Sequence, residues 1–163
     1  MPDFRRALAE PRLLLFDGAM GTILQSRGMP AGASPEQFGL ASPGVLEAVH
    51  REYLAAGAQV VTTNTFGGTG HKLGPGPDPR EFNREAAALA RRAAGDNAFV
   101  AGDVGPTGLF CRPLGEISFR GLVDAFTQQV RGLAEGGADF ILAETHYDLA
   151  EVRALVVACR EVG

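Results

Sequence analysis

Four apolar runs in this sequence each end in a polar side chain. These side chains are Asp17 after LLLF, Asn64 after VVTT, Asp103 after FVAG and Glu144 after FILA. Carboxylates that converge on one point bind an ammonium group well, because charge-assisted hydrogen bonds are about twice as strong as neutral ones. Gly18 and Gly21, in the segment after Asp17, offer backbone N–H groups near a helix start that suit a carboxylate. The set therefore predicts a site for a zwitterionic ligand such as an amino acid.

Helical signals separate the four runs. Each predicted helix begins at a capping residue, and the first three end at a glycine: Ser42 to Gly57, Asp78 to Gly95, Ser118 to Gly136, and a last helix from Asp148. The segments AAGAQVVTTNT and EGGADFILAET align without gaps. A helix, a glycine stop and a buried strand that recur about every 40 residues are typical of βα units with a parallel sheet.

Two α/β architectures fit these units. A doubly wound sheet places a G-x-G-x-x-G loop after its first strand, and DGAMGT does not match that pattern. A (β/α)8 barrel places its chemistry at the carboxyl ends of several strands, and it needs about 250 residues. We therefore predict that residues 1–163 form a single domain with the first four βα units of a TIM-type barrel, in which the polar residues line one mouth.

Each polar side chain also has a structural interpretation. Asp17 could be a turn residue before a glycine, and Asn64 could be an amide that bonds a neighbouring loop. For Asp103 we favour a cap on the turn GDVGPTG. Glu144 is the hardest to assign a structural role, because a carboxylate that closes a buried strand needs a partner. His146 lies two residues further on and is a candidate for ligand contact.

Composition excludes several classes of function. The net charge is −4 and no Lys/Arg cluster occurs, so neither a nucleic-acid surface nor an anionic-membrane surface is expected. No run of about 18 apolar residues predicts a membrane span, and no signal peptide is recognised. Cys111 and Cys159 cannot form a disulfide framework, and they lack the close spacing of zinc ligands. The sequence predicts a cytoplasmic protein with a core thiol at Cys159 and a loop thiol at Cys111.

The motifs DGAMGT, VHREYLAAGAQVVTTNTFG, GDVGPTG and AET together resemble the homocysteine S-methyltransferase family. Within it, they are most similar to the homocysteine-binding modules of cobalamin-dependent methionine synthases, from about Leu13 onward. The resemblance implies a barrel in which zinc holds the homocysteine sulfur as thiolate. It also implies that methylcobalamin transfers its methyl group to homocysteine and gives methionine, and that 5-methyltetrahydrofolate is the methyl source. The cobalamin and the folate would bind to other modules of a parent chain.

The resemblance also implies roles for individual residues. Asp17 and Glu144 would hold the ammonium group of homocysteine. The turn with Gly18 and Ala19, together with Asn64 and Thr65, would hold its carboxylate and sulfur side.

The family's zinc cysteines fall after Gly163, and neither Cys111 nor Cys159 matches one. No metal ligand and no catalytic residue is therefore expected here, and the isolated chain is expected to be inactive. The alternative is a stand-alone, non-catalytic half-barrel that binds an amino acid or forms a homodimer through its open strand edges.

Overall fold

The computed structural model describes residues 3–163, in which three strands form one parallel sheet in the order β1–β2–β3. Their bounds are β1 (Val60–Thr62), β2 (Phe99–Val104) and β3 (Phe140–Ala143). In the register, Val60 pairs with Phe99 and Ala101 pairs with Phe140. Two helices connect β1 to β2 and one helix connects β2 to β3, as crossovers between parallel neighbours require. The predicted α/β fold with parallel strands is confirmed.

The helices surround this sheet. They are α1 (Phe4–Ala9), α2 (Gly21–Ser26), α3 (Pro35–Ala41), α4 (Pro43–Ala55), α5 (Gly70–Leu73), α6 (Pro79–Ala94), α7 (Phe119–Glu135) and α8 (Leu149–Val162). The long helices begin where the sequence predicts, since side chains of the predicted caps accept backbone N–H bonds: Asp78 from Glu81, Ser118 from Gly121 and Asp148 from Ala150. No helix within residues 3–163 is long and apolar enough to cross a membrane.

The first apolar run does not form a full strand. Phe16 makes an isolated parallel bridge with Val60. The N–H of Asp17 donates to the Val60 carbonyl (2.9 Å), and the N–H of Gln59 donates to the Leu15 carbonyl (2.8 Å). Leu13 is 93 % exposed, and no described residue pairs with this run on its other side. Three strands and a bridge therefore stand where four strands were predicted, and the count of four units is not confirmed.

The two faces of β2 meet different surroundings. Val100 packs against α6, and Val104 packs against α7 and α8. Phe99 and Ala101 lie on the opposite face, in a cluster with Val60 and with partly buried residues of neighbouring segments: Phe4, Leu14, Phe140 and Leu142. This second face corresponds to the interior of a barrel, because its residues alternate with those that face the helices. Asp103 follows Phe99 and Ala101 on the same face, near the carboxyl end of β2.

Candidate functional site

A cavity of about 490 Å³ opens at the carboxyl end of the sheet. All six residues predicted to bind ligand line it: Asp17, Gly18, Ala19, Asn64, Thr65 and Glu144. A larger groove of about 840 Å³ lies between α1, α8 and β3, but its walls are mainly apolar. The strand-end cavity is the stronger candidate, since chemistry on parallel strands collects at their carboxyl ends.

Asp17 is tied to β1 by Thr62. The Thr62 N–H donates to Asp17 Oδ2 (2.9 Å), and the Thr62 hydroxyl donates to Oδ1 (3.0 Å). Burial raises the pKa of Asp17 to about 6, and the bonds from Thr62 oppose that rise. Asp17 is therefore more than a turn residue, because it joins the first segment to β1 while lining the cavity.

Tyr53 of α4 supports the turn after Asp17 from outside. Its hydroxyl donates to the Ala19 carbonyl (2.8 Å). A Cβ atom on Gly18 would lie 3.2 Å from the Tyr53 oxygen, which is tighter than ordinary van der Waals contact. Burial, and then the charge of Asp17, raise the pKa of Tyr53. Gly18 thus lets the backbone of this turn fit between the tyrosine and the cavity.

Asn64 serves a structural purpose at the end of β1. Its side chain is 7 % exposed, and its Nδ2 donates to the carbonyl of Pro35 at the start of α3 (2.6 Å). Thr65 is fully buried, and its hydroxyl donates to the Asp103 carbonyl (2.7 Å). The geometry supports the structural interpretation of Asn64, in which its amide bonds a neighbouring loop. The residue also borders the cavity.

Three polar side chains that the sequence analysis missed hold the loop after β1. Asn83 Nδ2 donates to the Gly68 carbonyl (2.7 Å), and Gln129 Nε2 donates to the Thr65 carbonyl (2.8 Å). Glu36 Oε1 accepts the Gly67 N–H (2.8 Å). Asn83 and Gln129 lie among the apolar residues of the buried faces of α6 and α7, and polar residues in such positions could have identified them.

Asp103 does not cap the turn that follows it, so that prediction was wrong. Its side chain lines the cavity and is 6 % exposed, and its Oδ1 has no hydrogen-bond partner among the described residues. The physical reason is strand alternation, because Asp103 shares a face with Phe99 and Ala101. Burial raises the pKa of Asp103 to about 8, helped by the charge of Glu144.

Glu144 lines the cavity but is exposed, contrary to the expectation of a buried strand end. β3 pairs with β2 alone among the described residues, so one of its edges is open. The N–H of Glu144 still donates to the Val104 carbonyl (3.1 Å), which fixes its backbone. The next residue, Thr145, has a φ of 55°. The carboxylate of Glu144 is therefore available at the mouth of the cavity.

His146, a candidate for ligand contact, is not among the residues that line the cavity. Its Nε2 lies 3.0 Å from the Val104 carbonyl, and its Nδ1 lies 4.0 Å from Glu151 Oε2. Glu151 is fully buried and accepts the Thr107 N–H (2.8 Å). These residues connect the loops after β2 and β3 to α8.

The residues present do not fit a zinc site. Cys111 and Cys159 are free and half-buried, and both pack against the apolar cluster of α7 and α8. Within residues 3–163, no group of three or more His, Cys, Asp and Glu side chains is arranged to hold a metal ion.

The described lining of the cavity is rich in carboxyl groups and contains no basic side chain. It includes four carboxyl groups, from Asp17, Glu36, Asp103 and Glu144. Glu36 is already engaged with the Gly67 N–H and the Ser34 hydroxyl. The remaining carboxyl groups favour a ligand with a positive charge, because desolvated like charges repel and a cation relieves that repulsion.

Comparison with known proteins agrees with this geometry. A family model described as homocysteine S-methyltransferase matches residues 14–163. The chain is 35 % identical over 175 residues to methionine synthase of Mycobacterium leprae (strain TN), an alignment that covers 97 % of this chain and 14 % of that protein. It is 36 % identical over 166 residues to methionine synthase of Mycobacterium tuberculosis (strain ATCC 25618 / H37Rv), covering 91 % of this chain and 14 % of that protein.

Crystal structures of the homocysteine methyltransferase MmuM from Escherichia coli share the fold. The metallated form superposes with a TM-score of 0.83 at 28 % identity, covering 98 % of this chain and 63 % of that chain. The apo form gives a TM-score of 0.77 at 28 % identity, covering 98 % and 59 %. The chain thus spans about one seventh of the methionine synthases it resembles (14 %) and less than two thirds of these solved structures.

Proposed function

We propose, on the premise that this chain belongs to the homocysteine S-methyltransferase family, that its strand-end cavity binds the amino-acid part of homocysteine. One observation carries the proposal. The six residues expected to bind homocysteine line a single cavity that contains four carboxyl groups and, in its described lining, no basic side chain. An ammonium group supplies the positive charge that such a cavity lacks.

The two ends of the amino acid would meet different partners. Asp17 and Glu144 would accept hydrogen bonds from the ammonium group. The ligand carboxylate would bind backbone N–H groups of the turn at Gly18 and Ala19, because the amide nitrogen of Asn64 is already bonded to Pro35. Thr65 would position this wall through its own bond to Asp103 rather than through the ligand.

The parent enzyme would transfer a methyl group to the homocysteine sulfur and form methionine. A free thiol has a pKa of about 8.5, and only the thiolate is a good nucleophile. In this proposal, zinc bound by cysteines other than Cys111 and Cys159 would hold the homocysteine sulfur as thiolate. Methylcobalamin on another module would donate the methyl group, with 5-methyltetrahydrofolate as its methyl source. The residues described here bind and orient the substrate.

Calorimetry with homocysteine tests the assignment. Glu144→Gln should weaken binding about ten-fold or more, the value of one charge-assisted hydrogen bond, and Asp17→Asn should also weaken it. Asp96→Asn removes an exposed carboxylate in the turn after α6 and is the matched control, with unchanged affinity expected. Unchanged affinity in both cavity variants would refute the assignment.

The open edges favour a second function, a half-barrel that associates with a second copy of itself. Leu13 is 93 % exposed and Leu15 is 57 % exposed beside the Phe16 bridge. β3 presents its free edge at the other end of the sheet, and unpaired apolar edges invite strand pairing. Light scattering at micromolar concentration should give twice the monomer mass if the edges pair. A monomer mass at every concentration would reject this function.

A further inference from the structure

Strand alternation brings Asp103 to the centre of the cavity wall. β2 lies between β1 and β3, and Asp103 pairs in register with Leu142 of β3. Glu144 lies two residues beyond Leu142, so both carboxyl groups belong to the same face of the sheet. Asp17 reaches this face from the other side through its bonds to Thr62. Asp103 therefore stands between the two carboxylates assigned to the ammonium group.

The backbone of Asp103 is rigidly held while its carboxyl group is left without a full set of partners. Its N–H donates to Thr63 Oγ1 (2.9 Å), and its carbonyl accepts from Thr65 Oγ1 (2.7 Å) and Gln129 Nε2 (3.4 Å). The side chain is 6 % exposed, and Oδ1 has no hydrogen-bond partner among the described residues. Burying an unpaired polar atom costs about 1–3 kcal/mol. Because Asp103 lines the cavity, an unpaired oxygen on its side chain indicates a partner that arrives with the ligand.

The groups that face Asp103 are all acidic. They are Glu144 beyond β3, Asp17 before α2 and Glu36 on α3. No basic side chain lines this part of the described structure. The pKa of Asp103 is raised to about 8, mainly by burial and secondly by the charge of Glu144. In the ligand-free cavity at neutral pH, the Asp103 carboxyl group therefore holds a proton.

We propose that Asp103 is a third carboxyl contact for the ligand's ammonium group and releases its proton to solvent when that group binds. This inference rests on the proposed function of the cavity. The O–H bond of the Asp103 carboxylic acid breaks, the proton passes to buffer, and the resulting carboxylate accepts an N–H bond from the ammonium group. The ammonium group keeps its own three protons. Binding at pH 7 thus releases close to one proton for each ligand.

The proton also gives the cavity a means of selection. Without a ligand, a neutral Asp103 limits repulsion among the carboxyl groups. A ligand with an ammonium group replaces the lost proton with its own charge, whereas an analogue without the amino group cannot. We expect 4-sulfanylbutanoate, which is homocysteine without its amino group, to bind at least ten-fold more weakly and to release no proton.

Calorimetry in buffers of different ionisation enthalpy measures this release. The titrations use the full 163-residue chain at pH 7 with homocysteine and with 4-sulfanylbutanoate. Asp103→Asn keeps the shape of the side chain and removes the titrating group, and Asp96→Asn is the control. In parallel, ¹³C NMR of the aspartate carboxyl groups follows Asp103 through a pH titration without ligand. We expect a midpoint above pH 7 that is missing in Asp103→Asn.

Each outcome decides between the inference and the proposed function. Release of close to one proton in the wild type and in Asp96→Asn, but none in Asp103→Asn, supports the inference. Homocysteine binding without proton release, or with equal release in Asp103→Asn, overturns the inference and leaves the proposed function standing. An Asp103 carboxyl group that titrates below pH 5 also overturns the inference alone. Absence of binding by the wild type overturns both.

Discussion

The ends of β1 and β3 have similar sequences and different environments. Both follow the helix–glycine–strand pattern of AAGAQVVTTNT and EGGADFILAET. After β1, Asn64 and Thr65 are buried and bonded to neighbouring segments. After β3, Glu144 and Thr145 are exposed. The local pattern determines where the strand stops, but the neighbouring elements determine whether its last residues are buried.

This difference gives the cavity one fixed wall and one open wall. The loop after β1 is held by Glu36 of α3, Asn83 of α6 and Gln129 of α7. The loop after β3 is held mainly through the N–H of Glu144 and the ring of His146, both on the Val104 carbonyl. We expect the fixed wall to be preformed and the open wall to become ordered around the ligand.

The largest expected effect concerns Asp103. Its backbone is bonded to Thr63 and Thr65 of the fixed wall, and its carboxyl group is influenced by the charge of Glu144 in the open wall. Its pKa of about 8 lies above the ordinary value of 3.8, so the folded state holds the proton more tightly than the unfolded state. Stability should therefore be highest below pH 4 on this account and should fall, by up to several kcal/mol, as the pH rises toward 8.

Asp103→Asn should remove that fall, as measured by chemical denaturation at a series of pH values. His50 has the opposite effect on the pH dependence of stability. Burial lowers its pKa to about 4, so the stability that the neutral ring contributes is lost as the pH falls below 6.5. The test is therefore the difference in the free energy of unfolding between the wild type and Asp103→Asn at each pH, with Asp96→Asn as control. A difference that does not vary with pH would contradict the buried, protonated state of Asp103.

Gly68→Ala should disrupt the fixed wall. A Cβ atom there would lie 2.3 Å from Asn83 Oδ1 and 2.6 Å from Gln129 Nε2, so the buried amides must move and lose their bonds. We expect a loss of about 3 kcal/mol in the free energy of unfolding by urea denaturation. Gly44→Ala, in an exposed turn of α4 with no atom near the added methyl group, should be neutral or stabilising. Equal effects of the two changes would show that the wall is not tightly packed.

Gln129→Leu should weaken the same wall by a smaller amount. The change removes the Gln129 donor from the buried Thr65 carbonyl, which keeps only its bond from the Gly68 N–H (2.8 Å). The loss of one such buried hydrogen bond costs about 1 kcal/mol. Gln128→Leu is the matched control, because Gln128 is its exposed neighbour on α7. Thermal unfolding should show a lower midpoint for Gln129→Leu alone. A loss confined to Gln128→Leu would reverse the assignment of buried and exposed faces.

Thr145→Gly should affect the open wall slightly and in the opposite direction. Thr145 has a φ of 55°, which is unfavourable for a β-branched residue. Glycine removes that strain but has more freedom to lose on folding, so the net gain should be about 0.5 kcal/mol. Thr22→Gly, the same change within α2, should lower stability instead. A Thr145→Gly protein less stable than Thr22→Gly would show that the Thr145 side chain makes contacts essential to the open wall.

Local sequence signals account for the parts of the fold that were predicted correctly. The starts of α6, α7 and α8 follow from Asp78, Ser118 and Asp148, because a cap acts on N–H groups two or three residues away. The strand ends follow from apolar runs closed by polar residues. These interactions are close in sequence, so the sequence contains nearly all the information about them.

The incorrect predictions depend on elements distant in the chain. The burial of Asp103 is set by β1 and α7, the exposure of Glu144 by the free edge of β3, and the reduction of the first run to a bridge by its single neighbour. For Asp103 a usable signal was present, since the alternation of Phe99, Ala101 and Asp103 places all three on one face. Alternation along a strand does not reveal how many other strands pair with it, so it does not predict the exposure of Glu144 or the reduction of the first run to a bridge.

Hydrogen–deuterium exchange with and without homocysteine tests the two-wall account most directly. The account predicts that residues 64–68 exchange slowly before ligand is added and change little, whereas residues 144–147 exchange quickly and slow at least ten-fold on binding. Asp96→Asn should give the same pattern, and Glu144→Gln should reduce the change. Protection that appears mainly at residues 64–68, or at neither segment with saturating homocysteine, would contradict the account.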